Sequence, residues 1–578
     1  MTAAIQRVWE IRERENTDSS ILAQALDIPE VLAGLLQARG VNNPEMARRF
    51  LTPALSDLND PSQMKDISLA VERLLEALRA GDQICIYGDY DVDGVTSVSL
   101  LLMFFRYIGL RTEFYIPSRL EEGYGLNPQA IEKIVAQGAK LLITVDCGIS
   151  DIDEIEQAKA AGLDVIIIDH HQVPDQVPTA TAILDPHQPE CEFPFKELAA
   201  VGVAFNLVVA LRTALRERGY FNEIEEPNLR EFLDLVALGT IADIVALLDD
   251  NRIIAHFGLQ ELTAGRRPGV AALKEVSGIL NDQVTVGHVA FRLAPRINAV
   301  GRLGQASKAV ELLTTNSYSK ALALARELDK TNKERQAIEQ VIFKDALDNA
   351  EQTRQKGETR AMVLASKEWH IGVIGIVASK LLERFACPIV MIGLAGDLGK
   401  GSARGTSDIH LYEAFVKCAD LLEGFGGHRA AAGLSIRAEN VDAFRDAFLA
   451  AVVEQSSSLQ AAKIIKVDQE LQPAIWTNEL VEKLAMLSPH GLGNPEPLFI
   501  ARNVSVKSAR KVGRDSPYHI KAVFNDDGRF LDGIGFSMGD RLDEMSEQVD
   551  LVYSAELNSW DGQTSVQLKL KDFKKVHP

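Results

Sequence analysis

Residues 83–94 read QICIYGDYDVDG, an apolar run of strand length that breaks into a glycine-bounded turn carrying three acids. Asp89, Asp91 and Asp93 alternate, so in an extended turn all three can face one side just past the strand. The pattern recurs downstream. LLITV (141–145) delivers Asp146, and DVIII (164–168) delivers Asp169, His170 and His171, with helical stretches at 95–107 and 151–161. Strands alternating with helices imply βαβ units and a parallel sheet. Ligands of such sheets bind beyond the carboxyl ends of the strands. Asp243, in LGTIADIV after the helical run from Glu231 to Leu238, is directed to the same rim.

A lone aspartate after a strand is often a helix N-cap. Three successive strands ending in acids, one followed by the only His-His pair of the chain, point instead to a metal site. Asp91, Asp93, Asp146 and Asp243 carry enough negative charge to neutralise two divalent cations. Two ions about 3.5–4 Å apart activate a water and stabilise the leaving oxygen of an in-line displacement. Mixed carboxylate and imidazole ligands suit Mn²⁺ well and Mg²⁺ less well. Zn²⁺ more often recruits cysteines, and only Cys147 is near. The expected chemistry is hydrolysis of a phosphoester or phosphoanhydride.

The 578 residues are 46% hydrophobic and 25% charged, which excludes a disordered chain or a coiled-coil rod. Lys plus Arg number 61 against 81 Asp plus Glu, a formal net charge of −20. Such a chain does not coat nucleic acid by bulk charge, so a polyanion must be held by metal ions or a confined basic strip. The five cysteines (Cys85, Cys147, Cys191, Cys387, Cys418) are far apart and include no C-x-x-C. They support neither a zinc knuckle nor a disulfide framework, and a cytoplasmic location is expected. Charges interrupt residues 1–18, and the uncharged run Leu198 to Leu211 is too short for a bilayer, so neither export nor a membrane anchor is expected.

Composition and periodicity divide the chain into five parts. Residues 1–80 read as a helical preface broken at Pro29, Pro44, Pro53 and Pro61. An α/β catalytic domain is expected over 81–310. No glycine or proline occurs between Gly304 and Gly357, which predicts a connecting helix over 311–356. A smaller α/β domain follows over 357–455, where AMVLAS and PIVMIGL alternate with glycine-rich turns. Period-2 segments such as SVQLKLK (565–571), with turn residues at Asn525 to Gly528, predict an all-β barrel over 465–578.

DYDVDG (89–94), ITVDCG (143–148), the triplet Asp169 to His171 and GTIAD (239–243) resemble the four motifs of the DHH phosphoesterases. PRINAVGR (295–302), EWHIGVIGIVASKL (368–381), GSARG (401–405), GFGGHRAAAG (424–433) and HGLGNPEPLF (490–499) resemble the single-strand-specific exonucleases of that family. The resemblance implies a parallel-sheet DHH domain joined by the long helix to a smaller α/β DHHA1 domain, then an oligonucleotide-binding (OB) fold. It implies two ions, Mn²⁺ or Mg²⁺, with Asp146 bridging, Asp91 on one ion, and Asp93, His170 and Asp243 on the other. His171 would face the scissile phosphate, and Asp169 would orient a histidine. Many family members have a histidine ligand four residues before the Asp91 position; here it is Tyr87. Phenol is a poor ligand at neutral pH, so Asp89 or water is expected to fill that place.

By the same resemblance, which extends to PSR (117–119) and GYGLN (123–127), Arg119, Ser402 and Arg404 surround a 5′ phosphate and Tyr124 stacks on a base. Arg296 and Arg302 track the backbone, with His370 and His428 as further phosphate contacts. Lys507, Arg510, Lys511, Arg514, Lys569 and Lys571 offer a basic strip on the last module. The activity implied is a two-metal 5′ to 3′ exonuclease degrading single-stranded DNA to nucleotides in repair and recombination. A single-strand-binding protein and a helicase are candidate partners. The rivals are a DHH phosphatase acting on pyrophosphate or very short oligonucleotides, and a non-catalytic DNA-binding relative.

Overall fold

The computed structural model describes residues 7–12, 19–119, 122–123, 125–355, 357, 360–455, 463–513, 518–560 and 562–576. Strand β1 (Arg7–Ile11) precedes helices Ser19–Leu26, Glu30–Gln37 and Pro44–Leu51. The third opens on a proline at its first position, with the Asn43 side chain accepting from Met46 N. Leu32, Leu35, Leu36 and Phe50 of these helices join the core of the C-terminal barrel. Helix Ile67–Ala80 instead packs Ile67 and Leu74 into the first α/β domain. The preface therefore divides between two cores. Its β1 departs from the helical expectation: it pairs in parallel with β12 (Lys463–Val467), Arg7 opposite Lys463. Val8, Trp9 and Ile11 suit a strand, but a partner near the other end of the chain leaves no local signal.

Strands β2 (Gln83–Gly88), β3 (Arg111–Tyr115), β4 (Leu141–Val145), β5 (Asp164–Ile168) and β6 (Ala182–Leu184) form a parallel sheet in the order β3-β2-β4-β5-β6. Both faces are covered, which is why the strands read as continuous apolar runs. Ile84 and Ile86 face the layer of helices Val92–Tyr107 and Ala200–Glu217. Cys85 and Tyr87 face the opposite layer, under Pro128–Ala136 and Ile152–Ala160.

The connecting helix spans Tyr318–Gln355, 38 residues and about 57 Å at 1.5 Å per residue. It starts later than expected, because Ser307–Thr314 is a separate helix that ends where Thr315 turns extended. Ala321, Ala325 and Leu328 bury against the first domain, and Ile342, Ala346 and Ala350 against the second. The helix thus belongs to both bodies. In the second domain β7 (Met362–Ser366), β8 (Ile389–Ala395), β9 (Leu398–Arg404), β10 (Leu422–Gly427) and β11 (Ala431–Arg437) are ordered β10-β11-β9-β8-β7. Only β7 and β8 pair in parallel.

After β13 (Gln469–Glu470) come β14 (Phe499–Val512), β15 (His519–Asp526), β16 (Arg529–Gly535), β17 (Gln548–Trp560) and β18 (Gln563–Lys575). Pairing of β14 with β17 closes β14-β15-β16-β18-β17 into a barrel over Phe499, Phe524, Tyr553 and Phe573. Asp527 and Gly528, at φ 49° and 80°, make the tight turn between β15 and β16. Arg252, almost fully buried, ties the bodies together. It donates to the carbonyls of Phe50, Met486, Leu487 and Ser488, and lies 3.8 Å from the Phe50 ring centroid. Among the described residues no single helix is long and apolar enough to cross a membrane.

Candidate active site

The turn after β2 is shaped by Gly94, where a Cβ would lie 2.4 Å from the Asp89 carbonyl oxygen. Asp91 caps the helix Val92–Tyr107, its Oδ1 accepting from Asp93 N at 2.8 Å and Gly94 N at 3.2 Å. Asp93 is buried. Its two oxygens accept from Ala200 N (2.7 Å) and Val201 N (2.9 Å) at the start of helix Ala200–Glu217, where the helix dipole favours negative charge. Asp146 follows β4 in the left-handed conformation, φ 62°. Asp243 caps the end of helix Leu233–Ala242.

These segments converge. Ligand atoms of Asp89, Asp91 and Asp146 lie within 4.8 Å of one another, as do those of Asp93, His170 and Asp243, and those of Asp146, His170 and His171. His170 Nε2 is 3.3 Å from Asp146, 3.6 Å from Asp243 and 3.9 Å from Asp93. Asp89 Oδ1 and His170 Nε2 are buried without a hydrogen-bond partner. Orphaned acceptors among crowded carboxylates fit cations, and the donor set of carboxylate oxygens and one or two imidazoles fits Mn²⁺ or Mg²⁺.

The electrostatics agree with that fit. Burial, then mutual repulsion, holds Asp89, Asp93 and Asp146 well above the usual carboxylate range and pushes Asp243 up to about 7. Burial lowers His170 to about 4, leaving its imidazole neutral and able to bind metal. Asp169 behaves differently. Its Oδ1 accepts from His170 N, His171 N and, at 2.7 Å, His171 Nδ1, while Oδ2 accepts from Ile149 N. Burial opposes ionisation of both partners, but their hydrogen bond outweighs it, so Asp169 stays below its ordinary value and His171 rises to about 9. Asp169 can therefore orient His171 while having little left to offer a metal.

Tyr87 does not face this cluster: its hydroxyl donates to Gly125 O at 2.7 Å on the other side of the sheet. Sequence reasoning passed over Asp185 at the end of β6. Its Oδ2 is buried without a partner, and burial, then Asp169, raises it to about 7. The signal was an acid following the short apolar run AIL, as after the other strands.

Arg119, Arg302, Ser402 and Arg404 line one cavity of about 620 Å³ between the two α/β domains, with no carboxylate residue among the lining. Arg404 donates to Ser402 Oγ (3.0 Å), Arg302 to Gly372 O (3.2 Å), and Arg119 lies 5.1 Å from the Tyr90 ring centroid. Burial, then Arg119, lowers Arg302 to about 10 and depresses Arg404. Glycines permit the approach. A Cβ at Gly301 would meet Tyr90 O at 2.3 Å, and one at Gly375 would meet Ser402 Oγ at 2.9 Å. Tyr90, Gly372 and Gly375 were not singled out from sequence, and only the tertiary fold brings them here.

Other expected contacts are placed elsewhere. Arg296 pairs with Asp329 at 2.8 Å and pins helix Ala294–Leu303 to the long helix. His370 Nδ1 accepts from Gly372 N and shapes the cavity turn without lining it. His428 is exposed in the turn between β10 and β11. Tyr124 and Arg514 lie outside the described residues. On the barrel, Lys569 and Lys571 hold Glu496 and Lys511 pairs with Asp540, which leaves Lys507 and Arg510 as the exposed cations of the strip without an ion pair among the described residues. Two aromatics lie by the strip: Lys511 lies over the ring of Tyr518, a few residues further along the chain, and Phe536 packs edge-on to His519, whose partner across the strands is Val512.

A parallel sheet gathering carboxylates and imidazoles at its rim, beside a cavity lined by arginines of both α/β domains, defines a class: metal-dependent phosphoester hydrolases. Family models match in the same order: the DHH family N-terminal domain at 83–240, the DHHA1 domain at 358–454 and the RecJ OB domain at 467–572. The single-stranded-DNA-specific exonuclease RecJ of Bacillus subtilis is 38% identical over 98% of this chain and 70% of its own length. That of Escherichia coli is 37% identical over 97% of this chain and 98% of its own. The crystal structure of RecJ in complex with Mn²⁺ from Thermus thermophilus aligns at TM-score 0.83 and 29% identity, covering 99% of this chain and 80% of that one. The chain belongs to the RecJ family.

Proposed function

We propose that this protein is a two-metal-ion exonuclease that degrades single-stranded DNA from its 5′ end to nucleotides. One observation carries the reading. Tyr90 lines the arginine cavity, while its neighbours on either side, Asp89 and Asp91, belong to the carboxylate cluster. A strand end seated on Arg119, Ser402 and Arg404 thus lies beside the groups that would hold metal. Relatives described as single-stranded-DNA-specific exonucleases, and a RecJ structure containing Mn²⁺, support the substrate and the cofactor.

In this reading Asp89, Asp91 and Asp146 hold one Mn²⁺ or Mg²⁺ ion, and Asp93, His170 and Asp243 the other, with Asp146 between them. The ions supply an activated water and charge stabilisation for an in-line displacement. His171, fixed through Nδ1 by Asp169, turns its other ring nitrogen to the scissile phosphate. Arg404 and Arg119 grip the terminal phosphate through charge-assisted hydrogen bonds. Arg302, between the domains, takes the next phosphate. A phosphatase of very short substrates needs neither a closed barrel nor a helix holding two domains around a cleft, and a non-catalytic relative needs no intact carboxylate and histidine set. We place the enzyme in the cytoplasm, in keeping with five free cysteines, and in repair and recombination. A single-strand-binding protein and a helicase would expose its substrate.

Single strands labelled at the 5′ or the 3′ end, incubated with Mn²⁺, Mg²⁺ or chelator, test the reading. The 5′ label should appear at once as a mononucleotide and the 3′ label only after full digestion. Early release of the 3′ label, undiminished activity in chelator, or equal rates on dinucleotides and long strands would contradict it.

A further inference from the structure

The segment that carries Arg119 is tied to the metal-bearing strands at two adjacent residues. From β2, the buried Tyr87 hydroxyl donates to Gly125 O at 2.7 Å and meets Asn127 Nδ2 at 3.3 Å. From the turn after β4, Asp151 Oδ2 accepts from Leu126 N at 2.9 Å. The fit is close: Gly125 has φ 81°, and a Cβ there would lie 2.8 Å from Asp151 Oδ1. Tyr87 acts a second time through its ring, stacked on Tyr115 at 5.5 Å and 14°. Tyr115 donates to Glu122 Oε1 at 2.6 Å, and Glu122 Oε2 accepts from Ser118 N at 2.7 Å, so Glu122 closes the turn around Arg119.

β2 ends at Gly88 and Asp89 follows at once, two residues after Tyr87, while the turn with Asp151 begins at Asp146. We propose that Tyr87 and Asp151 are positioning residues that fix the spacing between the 5′-phosphate pocket and the metal centre, and with it the length of product released at each cut. The proposal rests on the reading of the Arg119, Ser402 and Arg404 pocket given above. Neither residue touches the reacting phosphate. Each holds the backbone at Gly125 or Leu126, and the Tyr87–Tyr115 stack carries the constraint through Glu122 to Ser118 N, beside Arg119. A loosened tether lets the 5′ end seat at more than one depth, and phosphodiesters further along the strand then reach the metals.

The test uses the full-length enzyme with Mn²⁺ and 5′-labelled strands. It compares Tyr87→Phe, Asp151→Ala, Asp151→Asn and Arg119→Gln with the unmodified chain. The readouts are the length of the first product, the ratio of kcat/KM on 5′-phosphate and 5′-hydroxyl strands, Mn²⁺ affinity and Tm. Tyr87→Phe and Asp151→Ala should release di- and trinucleotides beside mononucleotides and lose about three- to tenfold in 5′-phosphate preference, the worth of one hydrogen bond, at unchanged Mn²⁺ affinity. Asp151→Asn keeps an acceptor and should behave as the unmodified chain. Mononucleotides alone and full preference in both tether variants, with preference lost in Arg119→Gln, would overturn the spacing role and leave the pocket standing. A uniform rate loss with a lower Tm and unchanged products would overturn it as well. Preference retained in Arg119→Gln would overturn the pocket reading and the spacing role together.

Discussion

His170 presents a buried Nε2, without a hydrogen-bond partner, 3.3 Å from Asp146 Oδ1. Burial keeps the ring neutral, and a backbone hydrogen bond involving Leu198 holds it in place. A lone pair facing a carboxylate at that distance is repulsive, and a cation between them turns the repulsion into coordination.

Asp146 joins both candidate ligand groups, through Asp89 and Asp91 on one side and His170 on the other. Asp146→Ala should therefore lower kcat on single-stranded DNA by at least about a hundredfold, since loss of metal-activated water costs orders of magnitude. The metal-free variant should be no less stable than the metal-free parent, because one of several mutually repelling buried carboxylates has gone. Rate assays with thermal melts check both. More than a hundredth of the parental rate would remove the bridging role.

Metal binding should be coupled to protons. Asp89, Asp93 and Asp146 are raised in the folded chain and Asp243 titrates near 7. Without metal their contribution to stability is fullest below about pH 4 and is lost as pH climbs through the raised values. Mn²⁺ reverses that loss by displacing the protons. The Tm gap between Mn²⁺-loaded and metal-free protein should widen from pH 5.5 to 7.5, and calorimetry in buffers of different ionisation enthalpy should record proton release. A gap independent of pH would contradict the coupling.

Two arginines on one helix should behave differently. Arg296 and Arg302 are six residues apart on Ala294–Leu303, about 240° around the helix. Arg296→Ala should lower Tm by releasing Asp329 and leave KM for DNA unchanged. Arg302→Ala should raise KM with little change in Tm. The opposite assignment of effects would show that the helix presents another face to the DNA.

Arg404→Ala should reduce kcat/KM on 5′-phosphorylated strands roughly ten- to a hundredfold more than on 5′-hydroxyl strands, the equivalent of a charge-assisted bond of about 1.5–3 kcal/mol. Equal losses on the two substrates would place an internal phosphate at Arg404.

Legibility in the sequence followed locality. Asp89, Asp91, Asp93, Asp146 and His170 stood out because a fully buried parallel strand writes an apolar run and the rim residues follow closely, and Asp243 because it closes an apolar helical run. Residues that meet only in the tertiary fold were silent. Tyr90 reads as a spacer between two acids until Gly301 lets a helix approach it. β1 pairs with a strand near the far end of the chain. Arg296 and Arg302 share one motif, and only the helix phase against the long helix separates an ion pair with Asp329 from a cavity wall. Tyr87 drew notice for what it is not. Its bond to Gly125 depends on which sheet face residue 87 occupies.

The most direct test of the two-metal account is anomalous diffraction at the manganese edge from crystals grown with Mn²⁺. The account predicts two peaks about 3.5–4 Å apart, one among Asp89, Asp91 and Asp146 and the other among Asp93, His170 and Asp243. A single peak at saturating Mn²⁺, or a second peak outside these residues, would contradict it.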